Sequence, residues 1–212
     1  MKIGLPAGFQ GAIFSVSNVL IQSSINSFGS IAMAGSTASA NVEGFVYNAM
    51  NAVYQTALSF TSQNYGAGKM KRVTRILLYC LGVVIVVGVV MGGGAVLTGP
   101  KLLQIYSSDP EVISYGMMRM RIINGTYFLC GIMDTMVGGL RGLGYSVIPM
   151  LVSLTGACLF RVVWIFSVFA MHRTLTTLYI SYPVTWVITF TAHIICYIVI
   201  RKRIAAKRNK AS

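Results

Sequence analysis

Acidic residues are almost missing from this chain: Glu43, Asp109, Glu111 and Asp134 are the only four carboxylates in 212 residues. Charged residues of every kind reach 10%, against about a quarter in an ordinary soluble domain, while 55% of residues are hydrophobic and the mean hydropathy is +0.72. So little charge cannot cover a hydrated surface, and the bilayer is the solvent to assume. Catalytic patterns are missing too. There is no HExxH, and no membrane-embedded Ser/Lys or Asp/Asp pair stands out. The run Gln63 to Lys69 has a phosphate-loop look but lacks the GK[ST] ending, so an enzyme reading has nothing to rest on. The four cysteines, Cys80, Cys130, Cys158 and Cys196, fall inside hydrophobic runs without CxxC or zinc-ligand spacing and read as small apolar residues. After Lys2 comes Gly4-Leu5-Pro6 rather than the compact apolar core and cleavage site of a signal peptide, so the first helix is expected to be retained.

What is abundant is positive charge, 17 Lys and Arg for a formal net charge of +13. Its placement argues against a nucleic-acid partner. Arg201, Lys202, Arg203, Lys207, Arg208 and Lys210 crowd the C-terminus, and Lys69, Lys71, Arg72 and Arg75 cluster between hydrophobic runs. That is loop asymmetry of the kind that anchors a membrane protein against anionic lipid.

A helix needs about 20 apolar residues to cross about 30 Å of hydrocarbon, and six stretches qualify. They predict an all-α membrane protein, a bundle of six transmembrane helices over about 7–28, 42–60, 76–97, 111–140, 147–170 and 177–200, with a basic tail at 201–212. Loops are expected at Gly29 to Ser39, Gln63 to Arg75, Thr98 to Pro110, Arg141 to Ser146 and Met171 to Thr176. An even number of spans puts both termini on one side. Placing that side in the cytoplasm puts Lys2, the Lys69 to Arg75 cluster, Arg141 and the tail inside, with only Lys101 and Arg173 outside. Asp109-Pro110-Glu111 is a start signal for the fourth helix, Arg119 and Arg121 are expected to snorkel at the outer interface, and Pro183 is expected to kink the sixth span.

Polar residues recur at helical spacing: Ser15, Asn18, Gln22 and Asn26 on the first span, and Asn48, Asn51, Gln55, Ser59 and Ser62 on the second. The fourth carries Asn124, Tyr127, Gly131, Asp134, Gly138 and Arg141. Any one such residue is commonly glue between helices. Three stripes together predict a water-accessible cavity, because lipid cannot solvate so many amides. Asn18, Gln22, Asn51 and Gln55 are its expected lining, with Tyr47 and Tyr54 offering aromatic faces to a cation.

A charge at mid-bilayer costs about 2.5–3.5 kcal/mol or more, so embedded ionisable groups mark function. Asp134 has no basic residue one turn away on its helix and is expected to take up a proton or sodium, unless an ion pair with Arg161 fixes it as a charged, inert group. Glu43, near the outer end of the second span, reads equally as solvated or functional, and Arg161 is the one expected deep base. His193 reads first as a packing residue, with proton relay as the alternative. No metal site beyond sodium at Asp134 and no cofactor is expected.

Particular segments carry a family resemblance. Ser62 to Gly68 with Lys69, Lys71 and Arg72, then Gly4-Leu5-Pro6, then Met133-Asp134 with Leu140-Arg141-Gly142, together resemble the second lobe of the multidrug and toxic compound extrusion (MATE) family. The resemblance implies a twelve-helix exporter of two six-helix lobes around a cleft, with this chain as the C-terminal lobe and Met1 an internal methionine of a longer reading frame. It implies secondary antiport, driven by sodium or protons, of amphipathic and often cationic compounds across a bacterial inner membrane. Asp134 matches the tenth-helix carboxylate that couples cation entry to export. The glutamate that accompanies it in some members has no counterpart around Phe14, Ser15 and Val16. Membrane lipid, substrate and an N-terminal lobe, in cis or in trans, are the implied partners. A lipid-linked oligosaccharide flippase of the same superfamily and a non-transporting scaffold subunit are the alternatives.

Overall fold

A computed structural model describes residues 4–209, and across them the chain is helical, with no strand. Lys2 and Lys210, counted above with the inner charges, lie outside the described residues. Helix α1 runs Gly4–Asn26, α2 Ser30–Gly66 and α3 Met70–Leu97. A short α4, Gly99–Gln104, precedes α5, Pro110–Ile123, and α6, Tyr127–Gly142. The fifth span comprises α7, Val147–Ser153, and α8, Phe160–Trp164, each followed by a π-helical stretch, Leu154–Leu159 and Ile165–Phe169. Helix α9 spans Leu175–Asn209.

The loop expected at Gly29 to Ser39 is not one. Gly29, at φ 96°, makes the turn, and α2 starts at the next residue and continues for 37 residues, about 55 Å at 1.5 Å per residue. Its first turns are rich in Ser, Ala and Gly, small residues well suited to close packing. A Cβ on Gly35 would strike the backbone of Val112 and Gly116, so α2 and α5 touch nearly backbone to backbone there. The second expected loop likewise shrinks to three residues between α2 and α3, turned by Gly68 at φ 74°.

Helix α5 begins as its start signal predicts: the Asp109 carboxylate accepts a hydrogen bond from the Glu111 N–H at 2.8 Å, with Pro110 at the first helical position. The fourth span is broken, however, by a 3-10 turn at Asn124–Thr126. The glycine face of α3 fits against this turn, since a Cβ on Gly88 would meet Phe128 and one on Gly92 the Asn124 carbonyl. The opposite side of α3 exposes Leu78, Tyr79, Val86 and Val90, which suits lipid. At the other end of the chain, α9 carries Pro183 within it and runs on through Asn209, so most of the 201–212 tail is helical. Ile200 and Ile204, one turn apart, keep that extension seated on the bundle.

Helices α2 and α6 are the centre of the packing: α2 lies against α3, α5 and α6, and α6 also meets α3 and α9. Among the described residues three spans, Met70–Leu97, Val147–Phe169 and Leu175–Ala206, are long and apolar enough to cross a membrane on length and composition alone. The others carry the polar stripes or, in α5–α6, the break, and they build the site.

Candidate functional site

The stripes converge. A cavity of about 580 Å³ opens between α1, α2, α5–α6, α8 and α9, and its wall includes Asn18, Tyr47, Asn51, Tyr54, Gln55 and Asp134. Periodicity explains the convergence: Tyr47, Asn51, Tyr54 and Gln55 fall within one face of α2, and Tyr127, Asp134 and Arg141 repeat every seven residues along α6. The glycines of the α6 stripe do other work. A Cβ on Gly131 would meet Val84 and Met50, and one on Gly138 the Tyr54 carbonyl at 2.8 Å, so they bring α6 close to α2 and α3. Gln22 is outside the cavity and hydrogen-bonds Asn26 along the exposed face of α1 at 3.3 Å, because it sits a further turn along the helix.

Asp134 is half-buried in the cavity wall, within electrostatic reach of Tyr47 and Arg141. Among the described residues its carboxylate takes part in no ion pair. The pairing with Arg161 does not form. Arg161 instead donates from Nη2 to Thr185 Oγ1 at 3.2 Å and lays its guanidinium on the Tyr182 ring, 4.2 Å from the centroid. Thr185 is set for this by donating its own hydroxyl proton to the Tyr182 carbonyl at 2.9 Å.

Glu43 and Arg119 depart furthest from expectation. Neither is solvated: they are 6% and 7% exposed and form a bidentate ion pair, Nε to Oε1 and Nη2 to Oε2, both at 2.8 Å. Ser36 accepts from Arg119 Nη1 at 2.8 Å, and Ser39 donates to Glu43 Oε1 at 3.2 Å. The Tyr179 and Tyr182 rings lie 5.6 and 5.8 Å from the guanidinium carbon. Tyr182 therefore stands between two arginines. Arg119 does not snorkel, because an acid and two rings meet it inside the bundle, whereas Arg121 is exposed.

Arg161 is thus not the sole deep base, since Arg119 and Arg141 are buried too. Arg141 donates to the Tyr54 hydroxyl at 2.7 Å and lines the same cavity. His193 lies outside it, fully buried, with Nε2 3.1 Å from Ser153 Oγ, which joins α9 to α7. Phe14, Tyr127, Tyr182 and Trp186 complete an aromatic side to the cavity, with Tyr127 and Trp186 rings 5.5 Å apart. Tyr127 is legible from its place on the stripe of the fourth span, whereas Phe14, Tyr182 and Trp186 carry little signal, because aromatic residues in a membrane span look the same whether they face lipid, core or cleft.

Comparison with known proteins places this architecture. The family model described as MatE matches residues 6–167. A curated relative, the probable multidrug resistance protein NorM of Thermotoga maritima, is 24% identical over 153 residues, 72% of this chain and 33% of that protein. Among solved structures, a mutant of the Vibrio cholerae MATE transporter VcmN superposes with a TM-score of 0.86 at 18% identity, over 95% of this chain and 46% of that one. The MATE transporter ClbM in complex with Rb+ gives 0.84 at 17% identity, over 99% and 48%. The chain therefore spans about a third of the curated relative and just under half of these structures.

Proposed function

The chain belongs to the MatE family and is an integral membrane protein, and on that premise we propose that it is one lobe of a cation-coupled exporter of amphipathic compounds. The observation that carries this reading is Asp134, a carboxylate in the wall of a polar and aromatic cavity with no ion-pair partner among the described residues. Such a group has its charge open to change. Taking up a proton or sodium alters the field in the cavity, and the lobe arrangement that best accommodates the loaded carboxylate gains population. Substrate would meet the amides of Asn18, Asn51 and Gln55 and the rings of Tyr47 and Tyr54, which suit an amphipathic molecule with a cationic or aromatic part. Binding of one cargo in an orientation that the other disfavours is what makes the cycle an exchange.

A lobe needs something to face. A second six-helix lobe, in cis or in trans, would close the open side of the cavity. Loop charges favour cytoplasmic termini in a bacterial inner membrane, with Lys69, Lys71, Arg72, Arg75 and Arg141 on the inner side.

Asp134→Asn keeps shape and removes the titratable charge. In the assembled two-lobe transporter it is expected to abolish dye efflux driven by a sodium or proton gradient while leaving protein level and membrane insertion unchanged. Undiminished gradient-driven efflux would remove Asp134 from the mechanism.

A further inference from the structure

Among the described residues the cavity contains an acid in no ion pair, Asp134, and it also contains a base in none, Arg161. Arg161 is 3% exposed and lines the cavity. Of the four carboxylates in the chain, Glu43 is held by Arg119, Asp109 caps α5, Glu111 follows it at the exposed start of that helix, and Asp134 is not in salt-bridge range. A guanidinium offers five N–H donors. Among the described residues Arg161 makes one hydrogen bond, to Thr185, and its Nε is buried without a partner. The Tyr182 ring covers one face of the guanidinium, which leaves its edge for a ligand in the ring plane.

The backbone supports the same placement. Arg161 sits in the short α8, between two π-helical stretches. A π-turn inserts a residue and rotates the faces that follow, and such turns are frequent at functional sites. Leaving a buried arginine without a counter-charge is costly, and a ligand that brings an anionic group removes that cost.

We propose that Arg161 is an oxyanion-recognition point in the cleft, which receives a carboxylate, sulfonate or phosphate group of the transported molecule. The inference rests on the cleft being the substrate path and narrows what travels along it. The favoured cargo is a zwitterionic amphiphile, its cationic or aromatic part towards Asp134, Tyr47 and Tyr54 and its anionic group on Arg161. Planar, bidentate recognition of an oxyanion is what a guanidinium does better than an ammonium.

The test is a matched pair of dyes, tetramethylrhodamine with its free carboxylate and its methyl ester, which lacks the negative charge. Binding is followed by fluorescence anisotropy on the assembled transporter in nanodiscs of neutral phosphatidylcholine. Arg161→Gln is expected to weaken the free acid by about tenfold or more, the worth of one charge-assisted hydrogen bond, and to leave the ester unchanged. Arg161→Lys should fall between, since it keeps charge and loses the fork.

Equal weakening of both dyes, or of neither, overturns the proposal, as it would if a carboxylate of the second lobe already neutralised Arg161. Should Arg161→Gln fail to fold, seen as loss of the monodisperse gel-filtration peak of the purified transporter, the wild type decides. Benzenesulfonate must displace the free acid and spare the ester, and failure to do so overturns the proposal. Replacing part of the lipid by phosphatidylglycerol separates two sources of the oxyanion: displacement of the free acid assigns the site to a lipid headgroup, and no displacement assigns it to the solute. A wild type that binds neither dye overturns this inference and the export reading together, whereas ester export without discrimination at Arg161 overturns this inference alone.

Discussion

A guanidinium inside a helix bundle is tolerable when an acid meets it squarely, and Arg119 has its acid in Glu43, with the Ser36 hydroxyl accepting from Arg119 and the Ser39 hydroxyl donating to Glu43. Removing one partner leaves the other charged in a site built for a pair, which typically costs about 3–5 kcal/mol, more than the pair itself contributes to stability. Glu43→Gln is therefore expected to lower the unfolding free energy of the detergent-solubilised protein by that order, and the double variant Glu43→Gln with Arg119→Gln to recover a good part of it. A double variant as unstable as the sum of the singles would show that the two residues act independently. This pair also marks the limit of what the sequence discloses at this scale. Asp134, Asn18, Asn51 and Gln55 are legible because each belongs to a stripe with helical spacing, and helical spacing survives folding. Glu43 and Arg119 are 76 residues apart, and no local pattern announces that α2 and α5 bring them face to face.

That meeting is made by the elements. Gly35 and Gly116 let α2 and α5 approach until the backbone of one lies where the other's Cβ would be. Gly35→Ala is expected to push the helices apart, destabilise the protein by about 1–3 kcal/mol and loosen the Glu43–Arg119 pair. Gly82→Ala in α3 is the control, because a Cβ there meets nothing within 4 Å and a helix gains roughly 0.5–1 kcal/mol from the exchange. If thermal unfolding of the two variants shifts alike, close approach is not what Gly35 provides. The same glycines explain why the 29–39 segment reads as a loop in the sequence: breakers and close-packing residues are the same residue types, and only a partner helix tells them apart. Where composition is unambiguous, as in the aliphatic run 76–97, the helix is legible, and its observed start at Met70 differs only because a basic first turn adds no hydropathy.

At the scale of the molecule, the cavity is a wall rather than a chamber, with Asn18, Tyr47 and Gln55 exposed on the lone chain. Lipid is a poor solvent for amides, so this face requires water or a second lobe. Single cysteines discriminate these from a packed scaffold. Asn18→Cys, Asn51→Cys and Gln55→Cys are introduced where Cys196, the one half-buried native thiol, has been replaced by Ser; Cys80, Cys130 and Cys158 are buried. In the assembled transporter all three positions are expected to react with a membrane-impermeant maleimide applied to opened vesicles, and tetramethylrhodamine methyl ester is expected to slow each reaction. Leu78→Cys on the exposed apolar side of α3 should stay unreactive, because lipid rather than water meets it there. Complete protection of positions 18, 51 and 55 without dye would mean a closed helical interface and a scaffold. Reaction that the dye does not slow would mean a wet cleft that this cargo does not enter.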